Sequence, residues 1–214
     1  MATSLPQRRA PALSRPLVLA GLALLLAVVA VGGWWAGAWL RPYAFHGLVL
    51  QSPEVAPGFV LTDQRGQTVS LDDLRGTLVL LFFGYTACPD TCGPTLATLR
   101  HARAALGDQA DQVQVVMITV DPQRDRPPVL GEYLAHFDPS FVGLTGAADQ
   151  LARVSTLYGV YFAQRPVTDT SLGYKVDHTT TVMAIDRQGY LRLVFPVGVS
   201  SDDIAADLRY LLRR

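Results

Sequence analysis

The chain opens on a long apolar run and then changes rhythm. Between Pro16 and Leu40 stand 25 residues without a charge, rich in Leu, Ala and Val. As a helix rising about 1.5 Å per residue, this run would be roughly 37 Å long, enough to cross a hydrocarbon layer of about 30 Å. After residue 41 the pattern breaks into short segments. Phe59–Thr62 and Gln67–Ser70 flank Asp63–Gly66 and predict a hairpin. Leu71–Leu74 reads as one helical turn. Thr77–Tyr85 is a near-continuous apolar run of strand length, as in a strand buried on both faces. A turn over Thr86–Pro94 leads to a helix over Thr95–Leu106, where Leu96, Leu99, Ala102 and Leu106 fall at helical spacing and Gly107 supplies a stop. Val113–Val120 predicts a second buried strand. A helix follows from Pro127 or Pro128 to His136, Pro being tolerated in a first turn, and another spans Ala148–Tyr158, closed by Gly159. Thr180–Ile185 and Tyr190–Phe195 read as strands around the turn Asp186–Gly189. Ser201–Leu212 reads as a last helix, capped by Ser200 or Ser201, with Asp202 and Asp203 in the first turn where the helix dipole favours them. The order describes an α/β, thioredoxin-like sandwich with a central mixed sheet, preceded by one N-terminal transmembrane helix.

Charge refines this picture. The 18 basic and 18 acidic residues cancel, which removes a whole-chain electrostatic case for nucleic acid. The balance is uneven along the chain. Arg8, Arg9, Arg15 and Arg41 are the only charged residues of the first 41, so the remainder is net acidic. Basic residues before an apolar span place its N-terminus on the cytoplasmic side, and Trp34, Trp35 and Trp39 suit the interfacial belt at its far end. The expected organisation is a cytoplasmic N-terminus (1–15), a transmembrane anchor (16–40), a linker (41–55) and a folded domain (56–214). Ala36-Gly37-Ala38 resembles a small-residue cleavage site, but the apolar run exceeds the core of an export signal. Either reading exports the domain to an oxidising compartment.

Candidate chemistry concentrates at one turn. Both cysteines of the chain, Cys88 and Cys92, lie between the first buried strand and its helix. Placed at i and i+4 on one helical face, they can reach each other or converge on a metal ion. A helix start lowers a thiol pKa, and thiolate is both nucleophile and soft metal ligand. A bridge across so short a loop would stabilise the fold little, which argues for reactivity over a staple. Three intervening residues (Pro89, Asp90, Thr91) depart from the two of the common redox motif and lean towards metal. Of the four histidines, His46 falls in the linker, and His101 and His136 fall on amphipathic helices, where a solvated role is the default. His178 sits beside Asp177 at the mouth of a predicted strand and is the candidate third ligand. Two thiolates and an imidazole suit copper(I). Zinc would ask for a fuller ligand set or a hydrolytic constellation. Met117 and Met183 fall within apolar strands as core. Asp177 is expected beside the site without ligating, since carboxylate is harder than copper(I) prefers and a neighbour on a strand points to the opposite face.

The string Phe82-Phe83-Gly84-Tyr85-Thr86-Ala87-Cys88-Pro89-Asp90-Thr91-Cys92, with Val176-Asp177-His178 downstream, resembles the Sco/SenC family. The likeness extends through Ala56–Asp63, Thr119–Asp125 and Gly143–Gly146, over roughly residues 55–212. The resemblance implies a single membrane anchor, a thioredoxin-like domain, and a copper site made of Cys88, Cys92 and His178. It also implies a role in assembling the copper-A centre of cytochrome c oxidase, whose copper-A-bearing subunit would be the partner. The implied location is a bacterial inner membrane, crossed once, with the C-terminal domain in the periplasm. One departure stands out: Gly93 follows the second cysteine where the family often has Pro, and Pro94 comes one residue later. Two functions stay open. One is a copper(I) donor, which requires His178. The other is a membrane-anchored thiol–disulfide oxidoreductase using Cys88 and Cys92 as redox pair, which does not.

Overall fold

The computed structural model describes residues 15–39, 42–166 and 173–213. It divides into two compact units, Met1–Ala44 and Phe45–Arg214. In the first, helix α1 runs for 25 residues, Arg15–Trp39. Leu19, Leu24, Val29 and Trp34 on it are exposed. Counted over the described residues, no helix is long and apolar enough to cross a membrane. Arg8 and Arg9, which orient the expected anchor, lie outside the described residues.

The second unit is built on a sheet of eight described strands. In chain order these are β1 (Leu48–Val49), β2 (Val60–Asp63), β3 (Thr68–Ser70), β4 (Leu78–Gly84), β5 (Val113–Thr119), β6 (Val142–Thr145), β9 (Val182–Ile185) and β10 (Leu191–Phe195); β7 (Phe162–Pro166) and β8 (Tyr174–His178) pair only with each other. Across the sheet the order is β1-β10-β9-β4-β5-β6-β2-β3. β4, β5 and β6 are parallel, and the remaining pairings are antiparallel, so the sheet is mixed. Every position of β4 is buried, as expected of a central strand covered on both faces. The covering helices are α2 (Cys92–Ala104), α3 (Pro127–Ala135), α4 (Ala148–Leu157) and α5 (Ser201–Leu212). α2 packs on α5, and α3 on β6, where Gly143 admits the side chain of Leu134: a Cβ there would stand 2.7 Å from it. Ser200 caps α5 by accepting the Asp203 N–H at 3.1 Å.

The hairpins and the two buried strands stand where hydrophobic periodicity puts them. Four strands are not among those expected. β6 is only four residues long, and β7 is mostly exposed and ends in Pro. β8 lies outside the main sheet. β1 forms in the stretch expected to be linker: Leu48 pairs with Val194 and Val49 with Leu193, and Val55 bridges Tyr190. His46 is likewise held. Its backbone N–H, its Nδ1 and the Gly47 N–H all bond the carboxylate of Asp207 on α5 at 2.9–3.2 Å. A buried carboxylate needs such donors, and this one draws the chain down from residue 45 onward.

Candidate metal centre

β4 delivers the cysteine turn. It ends at Gly84, where a Cβ would come within 2.6 Å of the Phe82 ring and 3.0 Å of Cys92 Sγ. The absent side chain is the space the sulfur occupies. The turn then closes with the Cys88 N–H donating to the Tyr85 carbonyl at 3.2 Å, and α2 begins with the Thr95 N–H donating to the Thr91 carbonyl at 3.0 Å. Cys92 is thus the first residue of α2, while Cys88 lies in the turn before it. The expected i, i+4 placement on one helix is corrected: turn geometry, not helical spacing, brings the sulfurs together. Cys92 is fully buried and Cys88 half-buried, and both are free thiols.

A buried carboxylate braces this turn. Asp125 accepts from the Thr86 N–H (3.0 Å), the Thr86 hydroxyl (2.6 Å) and the Thr119 hydroxyl (2.6 Å). Burial holds its pKa above the ordinary carboxylate range against those donors. Its place in the sequence, two residues before a Pro-opened helix, gave no sign of this role beyond the family likeness.

His178 comes from the other side, as the last residue of β8, opposite Phe162 of β7. Its Nδ1 lies 3.0 Å from the Thr179 carbonyl. A carbonyl only accepts, so Nδ1 carries the proton and Nε2 is left with its lone pair. Nε2 points at Cys92 Sγ, 3.6 Å away. The ring stands edge-on to Tyr85 (centroids 5.7 Å apart, 81°) and Phe82 (6.5 Å, 71°). The ligand atoms of Cys88, Cys92 and His178 all lie within 4.8 Å of one another, and among the described residues no other group of three or more such side chains converges this way. Cys88 and His178 line a cleft of about 230 Å³, together with Tyr85, Pro89, Lys175 and Asp177, and Cys92 is buried behind it. A larger cavity, about 410 Å³, lies alongside between α2 and the loop into α5, and its only ionisable lining residue is Asp90.

The remaining candidates stand apart. His101 lies beside Arg100, and His136 Nδ1 bonds the Glu132 carbonyl at 2.7 Å, both at exposed positions. Met117 and Met183 are core. Asp177 is exposed on the outer face of β8 and pairs with Arg165.

The two thiols are not equivalent. A hydrogen bond with Cys92, helped by the backbone at Asp90 and Cys92, pulls the Cys88 thiol well below its ordinary range against partial burial. The same bond, together with burial, pushes Cys92 up. These opposite shifts favour a thiolate at Cys88 and a protonated thiol at Cys92 in the reduced pair. Such a pair can ligate a soft cation once Cys92 gives up its proton, or can attack a disulfide through Cys88.

Comparison with known proteins agrees with this geometry. The sequence profile described as SCO1/SenC matches residues 49–213. A putative copper-binding protein of Stutzerimonas stutzeri is 39% identical over 146 residues, 68% of this chain and 71% of that one. The structure of Bradyrhizobium japonicum ScoI with copper bound is 38% identical, with a TM-score of 0.68, covering 74% of this chain and 99% of that one. The thioredoxin domain of a thiol–disulfide oxidoreductase from Bacteroides vulgatus, 18% identical, shares the fold at a TM-score of 0.54 over 76% of this chain and 99% of that one. The domain is therefore thioredoxin-like.

Proposed function

Because this chain belongs to the SCO1/SenC family, we propose that it is a membrane-anchored assembly factor that binds copper(I) and delivers it to the copper-A centre of cytochrome c oxidase. The observation that carries this reading is the convergence of Cys88, Cys92 and His178 within 4.8 Å. The metal is copper. The donor set fits it, since two sulfurs and one imidazole nitrogen are the soft ligands that select copper(I), and the similar proteins include copper-binding ones. Copper here is cargo. Cys88 and Cys92 would hold it as thiolates and His178 through Nε2, the Thr179 carbonyl fixing the tautomer that leaves this nitrogen free. The partner is the copper-A-bearing subunit of the oxidase.

The anchor is α1. Its support is a helical backbone of 25 residues with no charge from Pro16 to Leu40. Its apolar side chains are exposed, an arrangement costly in water and favourable in lipid. Arg8, Arg9 and Arg15 support a cytoplasmic N-terminus. We place the protein in a bacterial inner membrane, crossed once, with the domain in the periplasm.

The unequal thiols favour a second use of the same pair. The Cys88 thiolate attacks one sulfur of a target disulfide, and the other leaves as a thiolate. Cys92 then loses its proton and displaces the mixed disulfide. The target emerges as a dithiol, and Cys88–Cys92 is oxidised to a disulfide. His178 separates the two uses. Copper bound per chain is measured on the reduced, anaerobic full chain in detergent. Wild type is expected to hold about one copper(I) ion, and His178→Ala to lose it to a competing chelator while keeping its disulfide-reductase rate. Undiminished copper retention in His178→Ala would sink the copper-site reading.

A further inference from the structure

His178 reaches the cysteines on an element that the main sheet does not hold. β7 and β8 form a separate two-stranded sheet. No ladder to β4 or β9 sets the height of β8 above the cysteine turn. Along β8 the side chains alternate, so Tyr174, Val176 and His178 share one face and Lys175 and Asp177 the other. Val176 is buried and Asp177 exposed, which makes the first face the inner one.

That inner face is tied to the body by side chains. The Tyr174 hydroxyl donates to Asp121 Oδ1 at 2.8 Å, and Asp121 is fully buried just past the end of β5. Arg124 closes the other side. It pairs with Asp121, donates from Nη1 to the Tyr174 carbonyl at 3.2 Å, and lies over the Tyr174 ring 3.9 Å from its centroid. Two residues along, the Val176 N–H donates to the Tyr85 hydroxyl at 3.2 Å. Tyr85 is the residue whose ring stands against His178, and Arg124 also lies 5.6 Å from that ring. The ends of β4 and β5 thus grip β8 at Tyr174 and Val176, on the face that ends in His178. On the outer face, the Lys175–Asp90 contact at 3.8 Å is exposed and holds little.

We propose that Asp121, Arg124 and Tyr174, together with the Tyr85 hydroxyl, are positioning residues for His178. They fix how far the imidazole stands from the two sulfurs, and so set copper affinity without touching the metal. This rests on the reading of Cys88, Cys92 and His178 as the copper site. Partners of this kind, acting through a ligand, are worth about tenfold or more in metal affinity. A residue that only stabilises the fold would weaken the site whether or not His178 is present.

The test is a double-mutant cycle on the reduced full chain in detergent, with copper(I) affinity read by competition against a chromophoric chelator. Tyr174→Phe keeps the ring and removes only the hydroxyl. It is expected to weaken copper about tenfold when His178 is present, and less than about twofold in the His178→Ala background. Arg124→Lys should give the same pattern, and it carries the cycle alone if Tyr174→Phe melts out. An equal loss in both backgrounds would overturn the proposal, and so would no loss in either when wild type binds and His178→Ala is weakened. In that last case the copper site itself stands. Failure of wild type to bind copper would remove the site and the proposal together.

Discussion

A proton shared between two sulfurs decides how this site meets both a metal and a reagent. The opposite shifts favour a thiolate at Cys88 and a protonated thiol at Cys92, so copper entering the reduced site is expected to displace only the proton on Cys92. Release of about one proton per copper near neutral pH is expected, where two ordinary thiols would release about two. Calorimetry in buffers of different ionisation enthalpy reads this number, and a value near two would refute the asymmetry. The same asymmetry orders reactivity. As pH falls to about 5, alkylation should persist at Cys88 and not at Cys92. In Cys92→Ala the principal donor is gone, so the Cys88 profile should move to higher pH. Peptide mapping after brief alkylation distinguishes the two sites.

The elements that hold the domain together are not all ones that a hydrophobic pattern announces. Asp207 projects from α5 and accepts three hydrogen bonds from His46 and Gly47. Asp207→Ala would strand two backbone N–H groups and is expected to cost about 3 kcal/mol in urea unfolding. The His46 pKa is raised, chiefly by its bond to Asp207. Its contribution is therefore complete below its ordinary value of about 6.5 and fades as pH rises through the elevated one. The stability advantage of wild type over His46→Gln should shrink as pH rises above about 6.5, and a growing advantage would reverse the assignment. This junction was not legible in the sequence, because a lone His before a two-residue strand has no periodicity to betray it. The central strands were legible, since Leu78–Gly84 and Val113–Thr119 are buried almost throughout and so run apolar. β8 was legible in principle: Tyr174, Val176 and His178 alternate with Lys175 and Asp177. Its partner was not, because β7 offers Gln164, Arg165 and Pro166 to solvent and is defined only by pairing. The identities of the site residues could be read from cysteine placement and family likeness, but the turn that joins Cys88 to Cys92, and the Asp125 brace beneath it, are tertiary facts.

For the whole molecule, the proposed anchor predicts residence in lipid. The full chain is expected in the membrane fraction after an alkaline carbonate wash, and a chain beginning at residue 42 in the soluble fraction; recovery of the full chain in the carbonate supernatant would refute the anchor. On that proposal, tethering would hold the domain near the bilayer, where another membrane protein is met at high effective concentration. An assembly factor so placed can work with modest affinity for its client. How quickly it lets go of its cargo then matters more than how tightly it holds it, and the division of the ligands bears on that. The two sulfurs stand on the turn and helix start that follow the central strand, while the imidazole stands on the last residue of β8, at the open end of a hairpin outside the main sheet. Dissociation need not break three bonds in concert. The nitrogen can withdraw while both sulfurs retain the ion, and an incoming ligand from the client can take the vacated position. A centre divided between two supports would let a client ligand enter at the nitrogen's position before either metal–sulfur bond has to break.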